Sequence, residues 1–130
     1  MPTEEEWEFF CRAGTSTLRH FGNDSNLLNE YAWLYGNARE VTQPTATRLP
    51  NAFGIFDTLG NVGEWCHGVV PARGSTAEPN ERRPFRGGST YSAPTKLRSS
   101  ACFDYEHSFT NRYVGFRIVQ TLPDKGGRQE

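Results

Sequence analysis

The sequence predicts an α+β domain in which loops outweigh regular secondary structure. An amphipathic helix pattern at residues 4–13 and an alternating strand pattern at residues 113–119 provide the two classes of element. The chain of 130 residues also contains 13 Gly and 8 Pro and is 35% hydrophobic. A helical bundle is not expected, because Gly and Pro destabilise helix interiors. This length holds a single domain, which we place at residues 1–120, followed by a polar C-terminal tail at residues 121–130.

Residues near the N-terminus have the pattern of a capped helix. Thr3 can act as the N-cap, and Glu6 follows three residues later as the capping-box partner. Trp7, Phe10 and Cys11 fall at positions i, i+3 and i+4, which places them on one side of a helix. The pattern therefore predicts a short helix with one buried face.

Three segments have the composition of extended structure. Residues 113–119 carry apolar side chains at every second position and form the clearest strand pattern of the chain. Residues 85–89 are typical of a strand that breaks into a glycine bend. Residues 30–35 are rich in aromatic side chains and fit either a short strand or a buried extended segment.

Charge and hydropathy exclude several classes of function. The formal net charge is −1 and no basic block is present, so neither a nucleic acid nor an anionic membrane is an expected partner. No apolar run approaches the roughly 20 residues of a membrane span. The acidic N-terminal residues lack the basic and then apolar pattern of a signal peptide. We therefore expect a cytoplasmic protein unless a leader sequence has been removed.

The segment at residues 53–66 organises the rest of the chain. Three glycines break any helix period, and the apolar residues between them indicate that the irregular backbone is buried. Asp57 and Glu64 can supply carboxylate oxygens, and the Gly60 and Val62 carbonyls can complete an all-oxygen shell of the kind that Ca²⁺ prefers. Spacing alone favours the alternative, in which both acids accept backbone N–H bonds in turns.

The same segment resembles the signature of the formylglycine-generating enzyme family, also called sulfatase-modifying factors. Residues 53–65 read Phe-Gly-Ile-Phe-Asp-x-x-Gly-Asn-Val-x-Glu-Trp. Supporting segments follow the family's order at residues 2–9 and 11–14 before the signature, and at residues 86–89 and 114–117 after it. The resemblance implies a loop-rich fold of the C-type-lectin-like class.

Relatives of this family usually carry further strands of the main sheet before the Pro-Thr-Glu helix, and this chain begins at that helix. The resemblance therefore implies that the N-terminal part of the domain is missing from the sequence. Either the fold is a reduced version, or an unpaired sheet edge is left to find a partner. A homo-oligomer that forms through this edge is one expectation.

Family resemblance predicts the fold better than the function. Relatives include copper-dependent oxidases that convert a sulfatase cysteine to formylglycine, iron-dependent sulfoxide synthases, and non-catalytic ligand-binding proteins. The oxidases hold copper through two thiols after the Arg-Gly-Gly-Ser segment, and the matching positions here are Ser92 and Leu97. Gly63 is a further departure, because the signature commonly has tryptophan there. We expect no copper, and this replacement argues against an enzyme.

The remaining histidines and cysteines have structural interpretations. His20 and His67 lie far from each other and from His107, so the histidine cluster of the iron-dependent relatives is not expected, and neither is iron. Cys11 and Cys102 resemble a structural cysteine pair of some relatives. For a cytoplasmic protein we predict two buried thiols in contact rather than a disulfide.

The resemblance also implies a metal site and a binding surface. Relatives use the positions of Asp57, Gly60, Val62 and Glu64 for a structural calcium ion, so we expect Ca²⁺ in a stabilising role. The segment at residues 90–113 combines aromatic with small polar side chains, the composition of an adaptable binding surface. The candidate ligand-binding residues are Tyr91, Ser92, Phe103, Tyr105, His107 and Tyr113. The alternative is that part of these aromatic residues, Phe103 and Phe109 above all, packs the core.

The leading interpretation is a non-catalytic domain that binds a protein or a small molecule through residues 90–113. One alternative is an oxidoreductase of the formylglycine-generating type that acts on a protein cysteine, with the missing residues supplied by a partner chain. Another is a variable binding protein, because a retroelement diversifies this segment in one subset of relatives. A truncated product with only a structural role is the third.

Overall fold

Short helices and strands separated by long ordered loops make up the fold, which we describe from a computed structural model. The structure describes residues 1–70 and 82–122, so the predicted tail at residues 121–130 lies mostly outside it. The elements are α1 (Glu4–Arg12), α2 (Leu28–Tyr31), β1 (Gly63–Trp65), β2 (Arg82–Arg86), β3 (Cys102–Glu106) and β4 (Val114–Gly115), with 3₁₀ turns at Ser25–Leu27 and Pro94–Lys96. The predicted α+β, loop-rich class is confirmed.

Helix α1 begins with the predicted capping box. The Thr3 hydroxyl accepts the Glu6 N–H at 3.2 Å, and the Glu6 carboxylate accepts the Thr3 N–H at 2.9 Å. Trp7 and Cys11 are fully buried, while Phe10 packs against the core from its edge. Because the capping and the apolar spacing are both local, the sequence pattern was sufficient to predict this helix.

One sheet with the strand order β3-β2-β1-β4 crosses the described part of the chain. Strand β2 pairs antiparallel with both β1 and β3, whereas β4 pairs parallel with β1. Glu64 lies opposite Arg86, and Phe85 lies opposite Trp65 on one side and opposite Phe103 on the other. Among the described strands, β3 and β4 are therefore the two edges of the sheet.

The strand predicted at residues 113–119 is shorter than expected. Only β4 pairs with β1, and the side chain of Phe116 is 68% exposed. The pairing ends early because β1 has only three residues and because Arg117 turns toward the Glu64 carboxylate.

Residues 30–35 correspond only in part to the second of the two alternatives that the sequence left open. The first two of them are not extended but end helix α2, and Trp33 then makes an isolated parallel bridge with Gly60. Ala32 and Leu34 are buried in the core, so residues 32–34 are packed without forming a strand.

A small apolar core joins helix α1 to the sheet and to the loops. Its buried members are Trp7, Cys11, Leu28, Ala32, Leu34, Leu59, Cys66 and Leu97. Arg86 of β2 lies beneath α1 and donates to the Glu4 carboxylate at 3.0 Å and to the Glu8 carboxylate at 3.2 Å. Neither of the described helices is long and apolar enough to cross a membrane.

The prediction that Cys11 and Cys102 are two buried thiols is wrong for Cys102. Cys11 is buried, but Cys102 is exposed on the edge strand β3, and both are free thiols. The Cys102 thiol donates to the Glu4 carboxylate at 2.7 Å. Partial burial and this carboxylate together raise the pKa of Cys102 to about 11, so the thiol stays protonated at neutral pH.

Candidate functional site

An aromatic-lined cavity of about 440 Å³ opens beside strands β2 and β3. We call it the aromatic cavity. Its rings are those of Phe85, Tyr91, Phe103, Tyr105, Phe109 and Tyr113. Its polar lining includes Ser89, Ser92, Lys96 and Asn111. The volume lies within the range of small-molecule sites, which are also lined mainly by apolar and aromatic side chains.

Strand register builds the floor of the aromatic cavity. Phe103 and Tyr105 are two residues apart on β3 and share one face of the strand. Phe85 of β2 meets both of them edge-on, with ring centroids 6.2 Å and 5.6 Å away. The turn after β3 then returns the Phe109 ring onto Tyr105 as a stacked pair at 4.4 Å. Tyr105 nevertheless remains 40% exposed, so the floor faces solvent.

Gly63 explains how Phe85 reaches this floor. A Cβ atom at Gly63 would lie 1.8 Å from the Phe85 ring, so the ring occupies the space that any larger residue would need. The family signature commonly has tryptophan at this position. In this chain the neighbouring strand supplies an aromatic ring instead, and the departure from the signature therefore shapes the aromatic cavity.

The rim of the aromatic cavity is a hydrogen-bonded group of side chains. The Tyr91 and Tyr113 rings lie 4.0 Å apart, and the Arg112 guanidinium donates to both of their hydroxyl groups. The Tyr91 hydroxyl donates to the Glu40 carboxylate at 3.3 Å. These contacts hold the two tyrosine rings in place without burying them, since Tyr91 is 41% exposed.

Five of the six predicted ligand-binding residues line the aromatic cavity, and His107 is the exception. His107 is exposed in the turn that follows β3. Lys96 and Asn111 lie within the predicted binding segment at residues 90–113 but were not named as site residues. Phe85 of β2 lies outside that segment, so only the packing of the chain could identify it.

The loop at residues 57–64 is the second candidate site, and Glu64 is its buried centre. The Glu64 carboxylate accepts the Trp7 indole N–H at 2.7 Å and two Arg117 N–H groups at 2.8 Å and 2.6 Å. Arg117 also donates to the Phe56 carbonyl at 3.1 Å. Burial by itself would lower the pKa of Arg117, but the Glu64 carboxylate more than compensates, so the pKa is raised and the guanidinium stays charged.

Asp57 occupies a different environment in the same loop. Its backbone is in the left-handed region at φ 56°, and one carboxylate oxygen accepts the Ala46 N–H at 2.8 Å. The other oxygen, Oδ1, is buried without a hydrogen-bond partner. An unpartnered buried carboxylate oxygen is costly unless water or a cation satisfies it.

The predicted calcium residues lie close together only in part. Asp57, Val62 and Glu64 line one cavity of about 330 Å³ together with Arg117. Gly60 does not line it, and its φ of 79° brings its backbone against the Trp33 carbonyl, where a Cβ atom would lie 2.2 Å away. Across residues 1–70 and 82–122, no group of three or more His, Cys, Asp or Glu side chains could hold a metal ion.

The donor chemistry of this loop is compatible with a hard cation. A carboxylate has about four acceptor positions, and the three N–H donors on Glu64 leave capacity for one further partner. The unpartnered oxygen of Asp57 supplies a second donor atom. Arg117 already places one positive charge beside Glu64, so any metal ion would compete with this guanidinium for the carboxylate.

A family comparison matches almost the whole chain. The model of the sulfatase-modifying factor enzyme 1-like domain matches residues 1–122. The chain belongs to the sulfatase-modifying factor family. This result confirms the resemblance that the motifs indicated.

Comparison with individual members of the sulfatase-modifying factor family shows how much of their length this chain covers. A formylglycine-generating enzyme of Mycobacterium tuberculosis is 27% identical over 149 residues, which cover 92% of this chain and 50% of that enzyme. The structure of Treponema denticola variable protein 1 has a TM-score of 0.79 at 27% identity, with 89% of this chain and 45% of that protein covered. PvdO from Pseudomonas aeruginosa has a TM-score of 0.75 at 27% identity, with coverages of 89% and 50%. The chain spans about half the length of these relatives.

The two positions that the resemblance assigns to the copper-binding cysteines of the oxidases have separate roles in this member of the family. Ser92 lines the aromatic cavity, and its hydroxyl accepts the Ser89 N–H at 2.9 Å to close a turn. Leu97 is fully buried in the core. One position therefore contributes to the cavity wall and the other to packing.

Proposed function

We propose that this chain is a non-catalytic binding domain that takes its ligand in the aromatic cavity. The observation that carries the proposal is the convergence of six aromatic rings on one open cavity, where Tyr91 and Tyr105 are the most exposed. The exposed part of such rings contributes to binding when a ligand removes it from water, at roughly 25 cal/mol for each Å² of apolar surface.

The chemistry of the lining supports binding rather than catalysis. No Cys, His, Asp or Glu is among the described residues that line the aromatic cavity. General acid–base catalysis most often uses His, Asp or Glu. The Ser89 and Ser92 hydroxyls accept backbone N–H groups, and the described lining gives them no such base to activate a nucleophile. Aromatic rings with Ser, Asn and Lys are instead typical of recognition surfaces.

A ligand screen by NMR tests the proposal. A library of small molecules and short peptides is titrated into isotope-labelled protein, and we expect shift changes that concentrate at residues 89–113. Phe109→Ala, which removes one ring of the cavity floor, should weaken every hit that causes these changes. Phe9→Ala is the matched control, because Phe9 is 69% exposed on α1 and does not line the aromatic cavity. Hits that map only to other residues, or equal effects of the two variants, would overturn the proposal.

Calcium binding at the loop of residues 57–64 is a second part of the proposal. We propose that Asp57 and Glu64, with the Val62 carbonyl, hold Ca²⁺ in a stabilising role, without the Gly60 carbonyl that the sequence also suggested. Support comes from the unpartnered Asp57 oxygen and from the shared cavity of the two acids. A ligand at 100 times its Kd stabilises a fold by about 2.7 kcal/mol.

Thermal melts in calcium and in chelator test this second part. We expect a higher Tm in calcium for the parent chain and no calcium effect in Asp57→Asn. Glu30→Gln serves as a control, because Glu30 is exposed and lies outside this cavity. An unchanged melting temperature, with no calcium in the purified protein, would show that the two acids satisfy only protein donors.

An oxidoreductase of the formylglycine-generating type is a candidate that the similarity to the Mycobacterium tuberculosis enzyme favours. Since Ser92 and Leu97 lack thiols, a partner chain would have to supply them. Copper analysis together with turnover of a cysteine-containing peptide distinguishes the two functions. Bound copper with aldehyde formation would establish the enzyme, and the absence of both would leave the binding domain.

The similarity to Treponema denticola variable protein 1 favours a particular form of the binding domain, in which residues 90–113 vary between copies. Sequencing around the gene tests this form. A near-identical repeat of the segment beside the gene would support it, whereas a constant segment in close relatives would exclude it.

A further inference from the structure

We propose that the aromatic cavity selects an anionic ligand, namely a flat apolar group that carries a carboxylate, and that Lys96 pairs with this carboxylate. The inference rests on the proposed binding function and adds the chemical class of the ligand. It follows from the charge of the lining, from the way the chain holds Lys96, and from the hydrogen-bond donors that are left for a ligand.

The charge of the lining is the first step. Among the described residues that line the aromatic cavity, Lys96 is charged and no acidic side chain accompanies it. Within the described residues the Lys96 ammonium makes no ion pair, whereas Arg82 pairs with Asp104 and Arg117 pairs with Glu64. The lining therefore includes one positively charged residue with no counter-charge among the described residues, which favours an anion over a cation.

Two acidic groups near the cavity already have partners within the chain. Asp104 alternates with the cavity-lining residues of β3 and is paired with Arg82. Glu40 at the rim accepts the Tyr91 hydroxyl. Arg112, which lies over the Tyr113 ring at 4.9 Å, adds a second positive charge at the same rim. Among the described residues, Lys96 in the lining and Arg112 at the rim are positively charged and Glu40 at the rim is negatively charged, so these three groups together carry a positive charge.

The backbone that carries Lys96 is held firmly, which is the second step. Arg19 is only 4% exposed and donates to the Leu97 carbonyl at 2.8 Å and to the Pro94 carbonyl at 3.0 Å. The adjacent Leu97 side chain is fully buried. Both ends of the 3₁₀ turn are therefore fixed, and a ligand need not order this backbone on binding.

Free donors are the third step. The Asn111 side-chain oxygen accepts the Tyr113 N–H at 3.0 Å, and its amide NH₂ has no partner among the described residues. This NH₂ and the Lys96 ammonium are donors only. A carboxylate can accept from either donor, whereas an ammonium group can accept from neither. The charge-assisted hydrogen bond between a carboxylate and the Lys96 ammonium is also stronger than the bond that a neutral amide oxygen would accept.

A matched pair of probes tests the inference: indole-3-acetate and indole-3-acetamide share one ring system and differ in charge. We expect the acid to bind about tenfold more tightly, a difference of about 1.4 kcal/mol, with NMR shift changes at residues 89–113. Lys96→Gln should bring the two affinities together by weakening the acid alone. Arg98→Gln is the control, because it removes a nearby exposed charge that does not line the aromatic cavity. The preference for the acid should also fall as salt is added.

The outcomes separate this inference from the proposed function. Equal binding of both probes at the aromatic cavity would overturn the charge selection and leave the binding function intact. No binding of either probe would also overturn the inference, while the library screen decides the binding function separately. N-acetylphenylalanine and its amide extend the test to the end of a peptide chain. A tenfold preference for the acid in this second pair as well as in the first would indicate that a chain terminus can supply the carboxylate.

Discussion

The loop at residues 57–64 and the aromatic cavity both combine charged and aromatic side chains, yet the charges are used in opposite ways. In the loop, the Glu64 carboxylate accepts three N–H donors from Trp7 and Arg117, and all of these groups belong to the chain itself. In the aromatic cavity, Lys96 makes no ion pair within the described residues. Satisfied charges stabilise a fold, whereas unsatisfied donors at an open cavity are available to a ligand.

Position in the sheet accounts for this difference. Glu64 lies on β1, which has a neighbouring strand on each side, so its carboxylate is buried and has to be satisfied internally. The aromatic cavity lies toward the edge strand β3, where side chains can remain exposed at lower cost. We therefore expect the loop at residues 57–64 to contribute mainly to stability and the aromatic cavity, at the edge of the sheet, to contribute mainly to recognition.

Removing the negative charge of Glu64 should give the largest loss of stability among these predictions. Glu64→Gln leaves the Arg117 guanidinium, whose side chain is 25% exposed, without its counter-charge. We expect a loss of about 3 kcal/mol in the free energy of unfolding, measured by urea denaturation. Arg82→Gln is the control, because the Arg82–Asp104 pair is more exposed and should contribute less. A loss no greater than that of the control would contradict the division between the two regions.

Filling the space at Gly63 should cause an intermediate loss of stability and should also alter the aromatic cavity. Gly63→Ala places a methyl group against the Phe85 ring, and we expect a loss of about 1–3 kcal/mol in stability from the displaced packing. The displaced ring should also weaken ligands at the aromatic cavity. Thermal melts and NMR titration of a library hit measure the two effects. Adding Phe85→Leu to Gly63→Ala should restore part of the stability, and a double variant that is less stable than either single variant would contradict this explanation.

Mild acid should reduce the stability of the fold through a residue that lies outside both regions. Burial lowers the pKa of His20 from 6.5 to about 4, with the imidazole packed edge-on against Phe21 and Tyr31. The unfolded chain therefore binds more protons between these two values, so the stabilisation from neutral His20 is complete above pH 6.5 and is lost as the pH falls toward 4.

His20→Gln isolates this contribution. We expect the variant to lose less stability than the parent chain between pH 6.5 and pH 4.5, as measured by urea denaturation at each pH. His67→Gln is the control, since His67 is exposed. If the free energy of unfolding changes equally with pH in the parent chain and in His20→Gln, His20 is not the source of the pH dependence.

The elements that were predicted well depend on neighbours in sequence. The capping box of Thr3 and Glu6 spans three residues, and the buried face with Trp7 and Cys11 follows from the helix period. The composition of residues 90–113 likewise predicted most of the aromatic cavity, because a short segment contributes most of its rings.

The elements that were predicted poorly depend on distant partners. The strand at residues 113–119 stops early because Arg117 turns toward a carboxylate 53 residues away. Cys102 was expected to be buried, but the strand order places it on the exposed edge strand β3. A pattern of alternating apolar residues carries no information about which strand lies next to it.

The sequence by itself determined the family, the α+β class, the capped helix and the segment that supplies the aromatic rings, since each of these depends on motifs or on local periods. Only the tertiary structure decided that Glu64 pairs with Arg117, that Gly63 makes room for Phe85, and that Lys96 joins the aromatic cavity. These contacts depend on strand register and loop packing, which bring together residues with no detectable relation in the sequence.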